Sequence, residues 1–325
     1  MLPEVAAWAR RRTSASVDWP LETLLAAKGT ARVSVVLPAR DEEGTVGAIV
    51  AAIRADLMER APLVDEIVVV DSRSSDRTAA VAAEAGAEVV AQDAVLPGHG
   101  RMSGKGEALW KSLAVTGGDL LVFVDADLRG FTSSYVTGLL GPLLTDSSVG
   151  YVKGCYDRPL AGHDRVVEGG GGRVTELVAR PLINLHWPNL AGVVQPLGGE
   201  YAGRRSLLER LPFVTGYGVE LGLLLDVYET HGLDSIAQVD LGRRVHSHQG
   251  IEALGAMSGQ IMLTAWSRLE RHGRMLPMEE PSTALTQFRR GPDGHDVRVS
   301  DIAVGERPPM IDVPEYAAAR RSLLR

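Results

Sequence analysis

Asp119-Leu120-Leu121-Val122-Phe123-Val124-Asp125-Ala126-Asp127-Leu128 is the stretch from which the fold can be read. Its apolar first half has the length of a buried strand. Asp125 and Asp127 follow at once, and on an extended backbone residues two apart point to one side. The strand thus ends in two carboxylates aimed at one volume. In an open α/β sheet, the space beyond the carboxyl end of the strands is where ligands bind. Paired acids there suit Mg²⁺ or Mn²⁺, which bridge protein carboxylates to substrate phosphates. The competing reading is a polar loop after a core strand, because an isolated Asp-x-Asp is common.

Working outward, residues 33–37, 66–70 and 88–90 read as strands. Residues 45–59, a segment from Arg77 and a segment from Lys105 through Trp110 read as helices. Strand and helix alternate at intervals suited to βαβ units, which predicts a parallel sheet with right-handed crossovers. The second half is less regular. Strands are expected at 149–155 and 236–241, and helices at 173–186, 207–211, 219–230 and 251–272, with Gly169-Gly170-Gly171-Gly172 as its most flexible point. Residues 1–30 read as an amphipathic leader, carrying Trp8 and Trp19, that packs on the body. Residues 31–155 form a first half, 156–290 a second, and 291–325 a polar, loosely packed tail.

Composition bounds the partners. The 325 residues carry a formal charge of −7, which points away from nucleic acid. No stretch has membrane-spanning length and no signal peptide is visible, so no membrane partner is expected. The single cysteine, Cys155, rules out an internal disulfide and fits a cytoplasmic protein.

Three loops fall at one sheet edge and would build a nucleotide site: Pro38-Ala39-Arg40-Asp41-Glu42-Glu43, Asp71-Ser72, and the helix start at Lys105. Carboxylates there can hold ribose hydroxyls or base N–H groups. Lys105 can neutralise phosphate, aided by free amides at its helix start. The competing reading is that Glu42 and Glu43 merely favour a helix N-terminus. Gly172-Arg173-Val174-Thr175 places amides, a guanidinium and a hydroxyl at another helix start, a candidate anion site; the alternative is a linker with a capping threonine. In Tyr217-Gly218-Val219-Glu220, the glutamate is either functional or a helix-dipole acid. Arg244, His246 and His248 alternate on an expected extended segment and could face one way. Without context, surface histidines are the simpler reading.

Assembled in order, these pieces resemble the actinobacterial glucosyl-3-phosphoglycerate synthases, retaining glycosyltransferases of family 81. The matching stretches are Val35–Ala39, Asp71-Ser72, Gly104-Lys105-Gly106-Glu107, Asp125-Ala126-Asp127, Gly172 to Leu177, Gln195 to Tyr201, Gly216 to Glu220, and His246. The resemblance implies the GT-A fold: an α/β, Rossmann-like, mostly parallel sheet with helices on both faces and an acceptor-binding C-terminal half. It implies transfer of glucose from a nucleotide sugar, UDP-glucose first, to the 2-hydroxyl of 3-phosphoglycerate, with Mg²⁺ or Mn²⁺ as cofactor and a homodimer as the assembly. By the family pattern, Pro38, Ala39, Glu42, Ser72 and Lys105 hold the nucleotide, with Arg40 and Ala126 beside them. Asp125 and Asp127 face ribose, diphosphate and metal. Leu197 and Gly198 lie near the sugar, and Glu220 lies near sugar and acceptor. Gly172, Arg173, Val174 and Thr175 take the acceptor's phosphate and carboxylate, and Tyr217, Arg244 and His248 complete the substrate wall. Asp127 and His246 would ligate the metal, and Asp127, Leu197 and Glu220 are the expected catalytic set.

The chain departs from relatives at Arg40-Asp41, where they carry Leu-Asn, and at His248, where they often carry Asn. The first departure touches base recognition. A related enzyme makes mannosyl-3-phosphoglycerate from GDP-mannose, and Asp41 could accept from guanine N–H groups. Two other classes compete. A sugar-phosphate nucleotidyltransferase would need a glycine-rich basic loop after the first strand, whereas Pro38–Glu43 has no glycine. An inactive nucleotide-binding homologue would lack metal or acceptor residues that are present here.

Overall fold

The structure, a computed structural model, describes residues 1–157, 160–161, 166–167, 172–244, 250–291 and 294–323. Its centre is an eight-stranded sheet. In chain order the strands are β1 (Thr13–Ala15), β2 (Val33–Ala39), β3 (Glu66–Asp71), β4 (Glu88–Ala91), β5 (Leu120–Phe123), β6 (Tyr151–Asp157), β7 (Tyr201–Arg204) and β8 (Ile236–Arg243). Their spatial order is β1-β8-β6-β7-β5-β2-β3-β4. β7 runs antiparallel to both β5 and β6, and every other pairing is parallel.

The two faces of the sheet follow from side-chain alternation. Val33, Val35 and Leu37 of β2 and Leu120 and Val122 of β5 enter one apolar core; Val36, Leu121 and Phe123 enter the other. The first core takes Ile49, Val50 and Ile53 from α1 (Val46–Arg54) and Leu139, Leu140 and Leu143 from α2 (Ser134–Thr145). The second takes Leu109, Trp110 and Leu113 from α3 (Lys105–Val115), Leu221, Leu224 and Leu225 from α4 (Val219–His231), and Ile261, Ala265 and Leu269 from α5 (Ile251–Arg271). Burial on both faces is why β2, β3 and β5 read as unbroken apolar runs. α3 packs very close to its neighbour. A Cβ on Gly106 would lie 1.8 Å from the Val214 carbonyl oxygen, so only glycine fits.

The topology decides where chemistry can occur. Parallel pairing brings the carboxyl ends of β2, β3, β5, β6 and β8 to one edge. Because β7 is reversed, its amino end reaches the same edge, with Tyr201 opposite Phe123. Glu200 and the preceding loop therefore sit beside Asp125. Near the far edge, Trp8 is buried and its Nε1–H donates to the Ile236 carbonyl at 2.9 Å, while β1 extends the sheet along β8. Sequence reading gave no strand at β1.

The structure corrects the loose tail expected from Gly291. Strands Ala284–Gly291 and Gly294–Asp301 form an antiparallel hairpin, and Glu306–Arg307 then pairs with Phe213–Val214. Met310, Val313 and Tyr316 are buried in the second core. The anchor is Arg307. It donates in a fork to both Glu107 oxygens at 2.7 Å and to the carbonyls of His99 and Gly100, and its guanidinium lies 5.0 Å from the Trp110 ring centre. The segment looked polar because its apolar anchors are widely spaced between prolines and charges. Arg307→Ala leaves Glu107 buried beside Lys111 alone, and unpaired buried charge costs about 3–5 kcal/mol. Denaturant titration should show a loss of that size, and hydrogen exchange should rise across 302–323. Unchanged stability would show that the tail is held by its apolar contacts.

Candidate active site

A cavity of about 630 Å³ opens at the carboxyl edge of the sheet. Pro38 and Ala39 at the end of β2, Arg40 and Glu42 after it, and Ser72 after β3 line the cavity, with Lys105 at the start of α3. Asp125, Ala126 and Asp127 after β5 form the floor. Gly172, Arg173, Val174 and Thr175 also line the cavity, joined by Leu197, Gly199, Tyr217, Glu220 and Arg244. Residues expected from separate parts of the sequence thus surround one volume. His246 and His248 lie outside the described residues, as do Gly169, Gly170 and Gly171.

The floor is organised by charge. The Arg244 guanidinium, almost fully buried, donates to Asp127 at 2.8 Å and Asp125 at 3.2 Å through one nitrogen. Through the other it donates to both Glu200 oxygens at 2.9 and 3.1 Å and to the Tyr156 hydroxyl at 2.7 Å. The Lys105 ammonium bridges Asp125 and Glu220, the latter at 2.8 Å. Burial alone would raise the Asp125 carboxyl, but the Lys105 and Arg244 cations outweigh it and hold Asp125 well below the usual carboxylate range. Burial likewise works against the Lys105 charge, yet Asp125 and Glu220 prevail and keep it protonated. Glu42 is shifted up, first by burial and then by the Asp127 charge. Asp125 packs so tightly on the preceding loop that a Cβ on Gly199 would meet its Oδ2 at 2.2 Å.

Each loop is fixed by hydrogen bonds to its neighbours. The Thr45 hydroxyl donates to the Ala126 carbonyl at 2.6 Å and to Glu42 at 3.2 Å. Ser72 donates to Gln92 at 2.8 Å. The 173–186 helix begins at the cavity wall, with Glu176 N–H donating to the Gly172 carbonyl at 3.0 Å. Tyr217 is held by its amide, which donates to Gln260 at 3.0 Å.

Several expectations are corrected. The first amides of α3 are not open to phosphate: Gly106 N–H donates to the Thr215 carbonyl and Glu107 N–H to that of Gly104. Lys105 spends its ammonium on two carboxylates, so it is not an uncommitted phosphate cation. Arg244 reaches the cavity, but both terminal nitrogens are engaged, by three carboxylates and the Tyr156 hydroxyl, so it organises the acids. Gly198 turns inward, its carbonyl accepting from buried Lys153, while Leu197 and Gly199 line the cavity. Asp41 is turned away: its carboxylate accepts from the Ser75 amide at 2.7 Å and hydroxyl at 3.0 Å, so it does not face a base. Glu43 accepts from the Arg77 amide at 2.9 Å, just ahead of the Thr78–Glu84 helix, and not at the helix that follows it in sequence.

Sequence reasoning missed the wall supplied by α5: Leu254, Met257, Gln260 and Ile261. Their spacing signals one helix face, but nothing local says that the face borders a cavity. It also assigned no role to Glu200 or Lys153, whose partners are distant in sequence.

A divalent cation fits these residues in a specific way. Around the floor stand four carboxylates, Asp125, Asp127, Glu200 and Glu220, against Lys105, Lys153 and Arg244, leaving one acid in excess. Asp127 is the most exposed of the four side chains, 38% against 20% for Asp125, 8% for Glu220 and 0% for Glu200. It is the carboxylate left to face a cation. Among the described residues no group of three or more His, Cys, Asp or Glu side chains forms a ready-made cage. One partly exposed carboxylate, with one oxygen on Arg244, suits a metal held largely by substrate oxygens.

The profile of Glycosyl transferase family 2 matches residues 34–161. The glucosyl-3-phosphoglycerate synthase of Mycolicibacterium smegmatis is 49% identical over 90% of this chain and 93% of its own length. That of Petrotoga mobilis is 43% identical over 89% of both chains. Among solved structures, the mannosyl-3-phosphoglycerate synthase of Rubrobacter xylanophilus superposes with a TM-score of 0.88 at 42% identity, covering 95% of this chain and 99% of that one. The glucosyl-3-phosphoglycerate synthase of Mycobacterium tuberculosis, solved with Mn²⁺, UDP and phosphoglyceric acid, superposes at 0.79 with 43% identity, covering 90% and 94%. Identity at this level, over about nine tenths of both chains, establishes that the chain belongs to the glucosyl-3-phosphoglycerate synthase family of glycosyltransferases.

Proposed function

We infer that this chain transfers glucose from UDP-glucose to the 2-hydroxyl of 3-phosphoglycerate, retaining the α configuration. The observation that carries the reading is the division of the cavity. Carboxylates and small apolar residues come from the strand ends and loops of β2, β3 and β5, and Arg173 with Thr175 comes from a separate helix start. The first suits ribose, base and a metal-bridged diphosphate; the second suits a small phosphorylated acid. The relatives named above point the same way, since the Mycobacterium tuberculosis structure holds UDP and phosphoglyceric acid together.

In this reading, Pro38, Ala39, Arg40, Glu42 and Ser72 seat the nucleoside. Asp127 holds the cation that also takes the diphosphate, with His246 as its partner. When bound, Mg²⁺ or Mn²⁺ would stabilise the negative charge on the departing diphosphate. Arg173, Val174 and Thr175 orient the acceptor so that its 2-hydroxyl approaches the sugar from the leaving-group face. The hydroxyl proton passes to the leaving diphosphate. Glu220, fixed by Lys105, and Leu197 shape the sugar pocket. Asp125, Asp127, Glu200 and Glu220 are each tied to Lys105 or Arg244, which leaves none of the four poised as a covalent nucleophile. Two copies are proposed to pair through the 284–301 hairpin, where cross-strand partners Phe288 and Val297, together with Val299, expose a contiguous apolar face. Among the described residues no helix is long and apolar enough to cross a membrane.

The likeness to the Rubrobacter mannosyl enzyme favours a second donor, GDP-mannose. Against it, Asp41, the carboxylate best placed by sequence to accept from guanine, is engaged by Ser75. A panel of UDP-glucose, GDP-glucose and GDP-mannose with 3-phosphoglycerate tests the reading: UDP-glucose should give the highest kcat/KM, and dominant turnover of GDP-mannose would replace it.

Arg173→Ala should raise the acceptor KM by about 30- to 150-fold, the equivalent of about 2–3 kcal/mol for a charge-assisted contact, and leave UDP affinity nearly intact. Arg173→Lys should recover only part, lacking the planar fork. Unchanged acceptor kinetics in the alanine variant would remove Arg173 from the acceptor site. Asp127→Asn should fold normally yet lose the tightening of UDP binding by Mn²⁺, read by calorimetry, and EDTA should abolish turnover until metal is restored. Metal-dependent UDP binding that survives the substitution would place the cation elsewhere. Light scattering should find a dimer for the wild type and a monomer for Phe288→Asp/Val297→Asp; a dimeric double variant would move the interface off the hairpin.

A further inference from the structure

Lys153 lies on β6 behind the cavity, 1% exposed. A lysine is rarely buried so deeply without an ion pair, and among the described residues no carboxylate lies within ion-pair reach of its nitrogen. The side chain ends instead on the Gly198 carbonyl, with its ammonium 5.0 Å from the Tyr201 ring centre. Gly198 belongs to a turn fastened to β6 at three successive points. Gln195 donates its side-chain amide to the Tyr156 carbonyl, Lys153 donates to Gly198, and Gly154 N–H donates to the Glu200 carbonyl at 2.8 Å. Leu197, at the crest of the turn, lines the cavity, and Glu200, at its end, holds Arg244.

We propose that Lys153 is a positioning residue for sugar transfer: by donating to the Gly198 carbonyl from inside the fold, it sets the place of Leu197 against the reacting sugar. This rests on the reading of Leu197 as part of the sugar pocket. A purely structural residue in this slot would be served better by methionine, which fills similar space without a buried charge. What methionine cannot do is hold the carbonyl. Misplacing a wall by about 1 Å can cost up to about 100-fold in rate, whereas nucleotide affinity, set at the other end of the cavity, need not change. Burial also draws the ammonium down to about 8, against the opposing pull of Glu220 from α4. Lys105, Glu200 and Asp125 are the other charged groups that act on it, and the Tyr201 hydroxyl belongs to the ring beneath it.

The test compares wild type, Lys153→Met and Lys153→Gln for kcat, KM of both substrates, UDP affinity by calorimetry and melting temperature. Lys153→Met should lose about 10- to 100-fold in kcat while UDP affinity stays within about threefold and the melting temperature does not fall. Lys153→Gln keeps a neutral donor and should regain part of kcat. An active wild type with Lys153→Met within twofold of it in kcat overturns the inference alone. So does a variant whose kcat, UDP affinity and melting temperature fall together, which marks a structural role. If Lys153→Met does not fold, the glutamine variant decides by the same split between kcat and UDP affinity. A wild type that makes no product from UDP-glucose and 3-phosphoglycerate overturns the functional reading and this inference with it.

Discussion

The buried guanidinium of Arg244 is the contact on which the rest of the site depends. It follows β8, and it binds Asp125 and Asp127 after β5 and Glu200 before β7. A single planar fork therefore locks three segments that are far apart in sequence, a task suited to arginine and not to lysine. Buried ion pairs seldom add net stability, because desolvation offsets attraction. Their value here is geometric: two aspartates on a turn are held in one arrangement, on one wall of a cavity open to ligand. The arrangement is available only because β7 is reversed. A parallel strand in its place would send Glu200 to the opposite edge of the sheet.

Charge balance then explains the chemistry. Lys105 and Arg244 keep Asp125 ionised despite its burial. Asp127, the most exposed acid of the floor, is where net negative charge meets solvent and where a divalent cation is best received. An acid cluster without that cation would repel a nucleotide diphosphate, so donor and metal should arrive as mutual requirements. In the proposed reading, the acceptor's anionic groups meet Arg173 and the diphosphate meets the cation at Asp127, so neither phosphate competes for the other's partner.

Much of this was legible in the sequence, for identifiable reasons. The apolar runs of β2, β3 and β5 announce themselves because both faces of a parallel sheet are covered. Asp125 and Asp127, Arg173 and Glu220 could be named because each sits directly beside such an element or a glycine-rich helix start. What could not be read depended on partners from distant segments. Arg244 looked like a substrate residue until its three carboxylates were in view. Asp41 looked available to a guanine base until Ser75 occupied it. The wall at Leu254, Met257 and Ile261 carries an ordinary amphipathic pattern. Arg307 makes an anchored segment of what composition alone describes as a loose tail.

The central claim is retentive glucosyl transfer at a site where Asp125, Asp127, Glu200 and Glu220 are each paired with a cationic side chain. The most direct measurement is NMR of the product formed from UDP-α-[1-¹³C]glucose and 3-phosphoglycerate. The account predicts a single α-anomeric signal with a correlation from the labelled carbon to the 2-position of the glycerate. A β-anomeric product, linkage at another position, or release of free glucose in place of transfer would contradict it.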